Sequence, residues 1–145
     1  MEKTLVIVAD EHKARFFTNK DGKIFLTENE DKVNPEARAH ERDLITDKPG
    51  RTFDRAGSGR HAKEPQIDPK TQEAWSFSKS IAEKIEQTRI EQKIKRLVLV
   101  AEPRFLGMLR QKLTHECEKL IWKSFDKNLT KADIKIIEEE VFTLR

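Results

Sequence analysis

The chain has 145 residues, 38% of them charged and 36% hydrophobic, enough apolar content for one domain around one core. Its 29 basic residues against 26 acidic ones leave a formal net charge of +3, too mild to mark a nucleic-acid binder by total charge. The single cysteine, Cys117, excludes an internal disulfide and a cysteine-built metal site, and suits a reducing compartment.

The N-terminal apolar run extends only from Leu5 to Ala9 before Asp10 and Glu11. A secretory signal needs a longer apolar region, and a membrane span about 20 apolar residues, so a cytoplasmic location and no membrane partner are expected. That run is rich in β-branched residues and suits a strand covered on both faces. Ala14–Thr18 and Lys23–Thr27 flank an Asp21-Gly22 pair that tolerates positive φ, a hairpin signal. Three strands, mutually antiparallel, are predicted here.

From about residue 30 to 67 regular periodicity fails, and four of the five prolines lie between Pro35 and Pro69. A connection this long inside a compact domain is usually functional or disordered. Asp43–Thr46 and Arg51–Asp54 are its candidates for a short strand. Asp68-Pro69 then reads as an N-cap followed by proline at the first helical position. Ala74, Phe77, Ile81, Ala82 and Ile85 follow helical spacing, in a helix ending near Gln92 or Lys95.

Leu97–Ala101 is a second fully apolar strand. Pro103 opens a helix whose stripe is Leu106, Leu109, Leu113 and Cys117, and Leu120–Phe125 is the next strand. In the last helix Thr130 is the predicted N-cap, Asp133 the capping-box acid, and Leu129 a staple onto Ile134. Its buried stripe is Ile134, Ile137 and Val141. The fold class is α/β, one domain over residues 1–145, with a mixed sheet of about five strands and three helices in the order βββ-(long loop)-αβαβα. The handedness of crossovers makes the last two strands parallel to a neighbour.

Nucleophilic motifs are weak. Ser58 stands between Gly57 and Gly59, but a hydrolase elbow needs a strand directly before it and a helix directly after. Cys117 on an apolar stripe reads as a small buried hydrophobe. His12, His40, His61 and His115 show no ligand spacing on a helix face, so they give no metal site, and no cofactor is expected.

Two charge constellations remain. Asp10, Glu102 and Asp126 each fall at or just beyond the carboxyl end of a predicted strand, where open α/β sheets form sites. Three such acids can hold two divalent cations for phosphodiester cleavage; equally, acids after strands serve as turn residues and helix caps. Between positions 48 and 63 stand Lys48, Arg51, Arg55, Arg60 and Lys63 against Asp54 alone. Arginines pair bidentately with phosphates, and the glycines let backbone amides approach a polyanion. Arg104, Arg110 and Lys112 add charge around the second helix.

VADEHKARFF at 8–17, NPEARAHERDLITDKPGRTFDRAGSGRHAKEP at 34–65 and LVLVAEPRFLGMLRQKL at 97–113 together resemble the bacterial host attachment protein family. Its members are commonly described as required for attachment to host cells. That family is similar to the central domain of archaeal and eukaryotic class I peptide release factors and of Pelota. The resemblance implies a ribonuclease H-like fold, with Gly57, Ser58, Gly59, Arg60 and His61 as counterpart of the loop by which release factors enter the ribosomal peptidyl transferase centre. There a Gly-Gly-Gln motif positions water against the peptidyl-tRNA ester. Here no glutamine follows Gly57 or Gly59, and Gln66 lies beyond them beside Pro65.

The resemblance therefore implies contact with the ribosome, or with transfer or ribosomal RNA, in ribosome rescue and without hydrolysis, as in Pelota-type relatives. Codon-directed termination is not expected of 145 residues. The alternatives are a metal-dependent nuclease and a protein that itself mediates host attachment.

Overall fold

The computed structural model describes residues 2–19, 23–29, 31–34 and 68–143. They form β1 (Thr4–Ala9), β2 (Lys13–Asn19), β3 (Leu26–Glu28), β4 (Lys32–Val33), α1 (Pro69–Gln92), β5 (Arg96–Val100), α2 (Pro103–Lys112), α3 (His115–Lys119), β6 (Ile121–Phe125) and α4 (Ile134–Phe142). The Asp21-Gly22 pair, both short-strand candidates and nearly all of the 30–67 segment lie outside the described residues.

The sheet is mixed, in the order β3-β2-β1-β5-β6 with β4 also on β2. β1 pairs antiparallel with β2 and parallel with β5, and β5 pairs parallel with β6. All six residues of β1 are buried, which is why its sequence shows no alternation. Successive side chains serve two separate cores. Leu5, Ile7, Ala9, Phe16, Leu97 and Leu99 pack beneath α1 and α2, whereas Val6, Val8, Phe17, Val98 and Val100 pack against Ile137 and Val141 of α4. The result is three layers, helix on sheet on helix. Among the described residues no helix is long and apolar enough to cross a membrane.

α1 forms as its sequence predicts. The Asp68 side chain accepts from the Thr71 N–H at 2.8 Å, Pro69 opens the first turn, and the whole predicted stripe is buried. Lys93, left-handed at φ 56°, ends it.

Other elements differ from expectation. The third strand begins at Leu26 rather than Lys23, leaving Ile24 and Phe25 more than half exposed. It is followed by a sixth, two-residue strand on the same edge of β2. Phe17 faces Glu28 but Ala14 faces Lys32, so one extra residue sits between β3 and β4, a bulge anchored by the Asn29 N–H on the Phe16 carbonyl at 2.7 Å.

Among the described residues there are four helices where three are predicted, because the helix opened by Pro103 stops at Lys112. Leu113 is extended, and Thr114 caps a new helix by accepting from the Cys117 N–H at 3.1 Å. α2 buries Phe105, Met108 and Leu109; of the predicted stripe Leu109 and Cys117 are buried, and Leu106 and Leu113 are half-buried against the same core. Thr130 does not cap the last helix either. Asp133 occupies that position, while Thr130 lies buried before it with its hydroxyl turned to Asp10.

Candidate functional site

β1, β5 and β6 run parallel, so their carboxyl ends share one edge of the sheet. A cleft of ≈ 700 Å³ opens there. Its walls are the β1–β2 turn (Asp10 to Lys13), Val33 of β4, Glu102 after β5, and Asn128, Thr130 and Lys131 from the β6–α4 connection.

Asp10 is the most constrained group in the cleft. One carboxylate oxygen accepts from the backbone N–H groups of His12 (2.8 Å) and Lys13 (2.9 Å); the other faces the Thr130 hydroxyl at 3.0 Å. Burial pushes the carboxyl up, but the Lys13 and His12 amides and the Thr130 hydroxyl outweigh it and hold Asp10 below its ordinary value. The Asp10 N–H also donates to the Lys13 carbonyl at 2.9 Å, closing the turn. The Thr130 hydroxyl lies 2.7 Å from Asn128 Oδ1 as well, and its single proton can serve only one of the two acceptors at a time.

Glu102 stands at the N-cap position of α2 without a side-chain capping bond, its carboxylate 3.5 Å from Asn128 Nδ2. Asp126 is exposed after β6 and is not part of the cleft wall. Two of the three predicted acids are thus brought together, Asp10 as a turn residue and Glu102 as a helix-start residue. Among the described residues no group of three His, Cys, Asp or Glu side chains could hold a metal ion.

The cleft also gathers His12, Lys13 and Lys131. Their sequence neighbourhoods carry no catalytic or metal-ligand spacing, and only the meeting of a hairpin turn with a connection over a hundred residues away places them together. Cys117 is buried, and burial together with the Glu86 carboxylate, 3.3 Å from its sulfur, raises its thiol. It is a core residue that donates to Glu86, not a thiolate.

Lys48, Arg51, Arg55, Gly57, Ser58, Gly59, Arg60, His61 and Lys63 lie outside the described residues. The described residues on either side of them do have defined positions. Asn34 is buried, its N–H on the His12 carbonyl at 2.8 Å and its side-chain amide on the Glu11 carbonyl at 2.9 Å. Asp68 caps α1, whose Thr71 hydroxyl accepts from Arg104 in the first turn of α2. Both roots therefore stand at the sheet edge where the cleft opens.

The family described as "Protein required for attachment to host cells" matches residues 5–141. Among curated proteins, the uncharacterized protein RP470 of Rickettsia prowazekii (strain Madrid E) is 32% identical over 81 residues, 54% of this chain and 54% of that protein. The matched region thus spans about half the length of that relative. Among solved structures, an archaeal protein has a TM-score of 0.48 at 12% identity, over 95% of this chain and 35% of its own.

Proposed function

From a chain that belongs to the family of proteins required for attachment to host cells, we propose a domain that binds ribosomal or transfer RNA through its basic 48–63 segment. The observation that carries this is charge placement. Five basic residues face one acid in that segment, while the whole chain is only +3. Arg51, Arg55 and Arg60 offer bidentate forks to phosphates, with Lys48 and Lys63 as point charges. Gly57 and Gly59 admit a polyanion close to the backbone around Ser58 and His61. Asn34, just before the segment, is anchored on the β1–β2 turn that carries Lys13.

The role is release-factor-like binding in ribosome rescue, on a ribonuclease H-like fold. No Gly-Gly-Gln motif is present, so ester hydrolysis is no part of it. Ribosome pelleting or RNA filter binding, comparing wild type with Arg51, Arg55 and Arg60 all changed to alanine, tests it. Loss of binding in the variant is expected. Equal binding by both proteins, or none by either, refutes the RNA interface.

The family description favours a second function, direct participation in attachment, which requires the protein at the cell surface. Cell fractionation that finds it only in cytosol removes that function. A nuclease built on Asp10, Glu102 and Asp126 would cleave RNA with magnesium or manganese and lose activity in Asp10→Asn. Geometry disfavours it, because Asp126 stands outside the cleft.

A further inference from the structure

A second concavity lies away from the cleft, between α1 and α2. It encloses ≈ 420 Å³ and is lined by Gln72, Trp75, Ser76 and Lys79 from α1 and by Gln111 and Lys112 from α2. The four α1 residues recur at spacings of three and four, so they form one helical face. Among the described residues no carboxylate lines the groove. α2 itself carries Arg104, Arg110 and Lys112 and no acidic residue.

Trp75 is half-buried and packs on the core beneath α1, which fixes its ring. The exposed Lys112 ammonium stands 4.8 Å from the ring centroid, over one of its faces. A cation there reports a π-face turned towards solvent. The chain's other tryptophan is differently placed, its ring already stacked by Arg96 at 3.5 Å with Lys123 at 4.5 Å.

A packed indole, two side-chain amides, a hydroxyl and two ammonium groups, with no carboxylate among the described lining residues, match single-stranded nucleic acid. We infer that the α1–α2 groove takes one base of a single-stranded RNA against Trp75. Lys79 and Lys112 hold the flanking phosphates, and Gln72 and Gln111 face the base edge. Lys112 moves off the ring to its phosphate as the base stacks. This inference rests on the RNA-binding reading above but uses a different surface, so the two can fail separately.

The test uses the full chain carrying Trp122→Phe, so that Trp75 alone emits, titrated with a short oligouridylate. Binding should quench Trp75 fluorescence to saturation. Lys79→Gln with Lys112→Gln should weaken binding about tenfold or more at unchanged melting temperature, the size expected when a stacked base and its phosphates are released. Trp75→Leu should do the same, and the lysine pair guards against its failure to fold.

RNA binding that leaves Trp75 emission unchanged and is indifferent to the lysine pair overturns the groove and spares the 48–63 segment. Binding that depends on the lysine pair but not on Arg51, Arg55 and Arg60 keeps the groove and removes the segment. No binding of RNA by the parent protein overturns both.

Discussion

Glu86 shows how one side chain joins two helices. Arg89 donates to both of its oxygens, at 2.8 and 2.9 Å, while the Thr114 hydroxyl (3.2 Å) and the Cys117 thiol (3.3 Å) reach it from the α3 turn. The Arg89 hydrogen bonds lead, and against the cost of burial these donors hold the carboxyl down to about 2 from an ordinary 4.5. A group depressed in the folded state binds fewer protons there, so its stabilisation is present above pH 4.5 and lost as pH falls towards 2. Thermal melts across that window should therefore fall more steeply for wild type than for Glu86→Gln; parallel curves would refute the linkage. Asp10 belongs to the same scale. Its position at a strand end is legible in the sequence, but its role is not. Two of its donors come from its own turn and the third from Thr130, 120 residues away.

Among the elements, β2 and the β6–α4 connection are fastened by Arg15. Its guanidinium forks onto Glu28 at 2.8 and 2.9 Å and donates to the carbonyls of Thr130 (3.0 Å) and Ala132 (2.7 Å). It also lies 5.1 Å over the Phe17 ring. Lysine keeps the charge but not the fork. Arg15→Lys should speed hydrogen exchange at the Thr130 and Ala132 amides by about tenfold, since a hydrogen bond to a charged group contributes about 1.5–3 kcal/mol. Exchange within α1 should not change, and equal rates at both sites would show that Arg15 does not hold the connection. α1 is fully legible in the sequence because its cap and its stripe are local. The break after α2 has a local signal too, Thr114 followed by Glu116 and Glu118 in the first turn of α3, but the leucine spacing masks it. The start of α4 is not where the sequence puts it because Thr130, a good cap by residue type, spends its hydroxyl on the far side of the cleft.

At the scale of the whole molecule, α2 and α4, on opposite faces of the sheet, differ in charge as well as in the core they cover. α2 bears three basic residues and no acid, whereas α4 bears three glutamates and one lysine. A total of +3 hides this polarity, and composition alone cannot reveal which helices share a layer. RNA binding through basic groups should weaken linearly with the logarithm of salt concentration. Alanine at Arg51, Arg55 and Arg60 should flatten that slope by about 0.7 for each phosphate of a single strand that is no longer neutralised. An unchanged slope would place the phosphates elsewhere. The sheet's borders carry a separate consequence. One border of the described sheet is split between β3 and β4 by an extra residue, and the other, β6, skips Trp122 in its register with β5. Lys123 beside that bulge donates back to the Val141 carbonyl at 2.7 Å. A foreign strand zips most readily onto a flat, unbroken border, and bulges and lysines are the devices that deny it one. The same irregularities that obscure the strand count in the sequence thus protect a chain with a fully buried central strand against polymerising edge to edge into fibres.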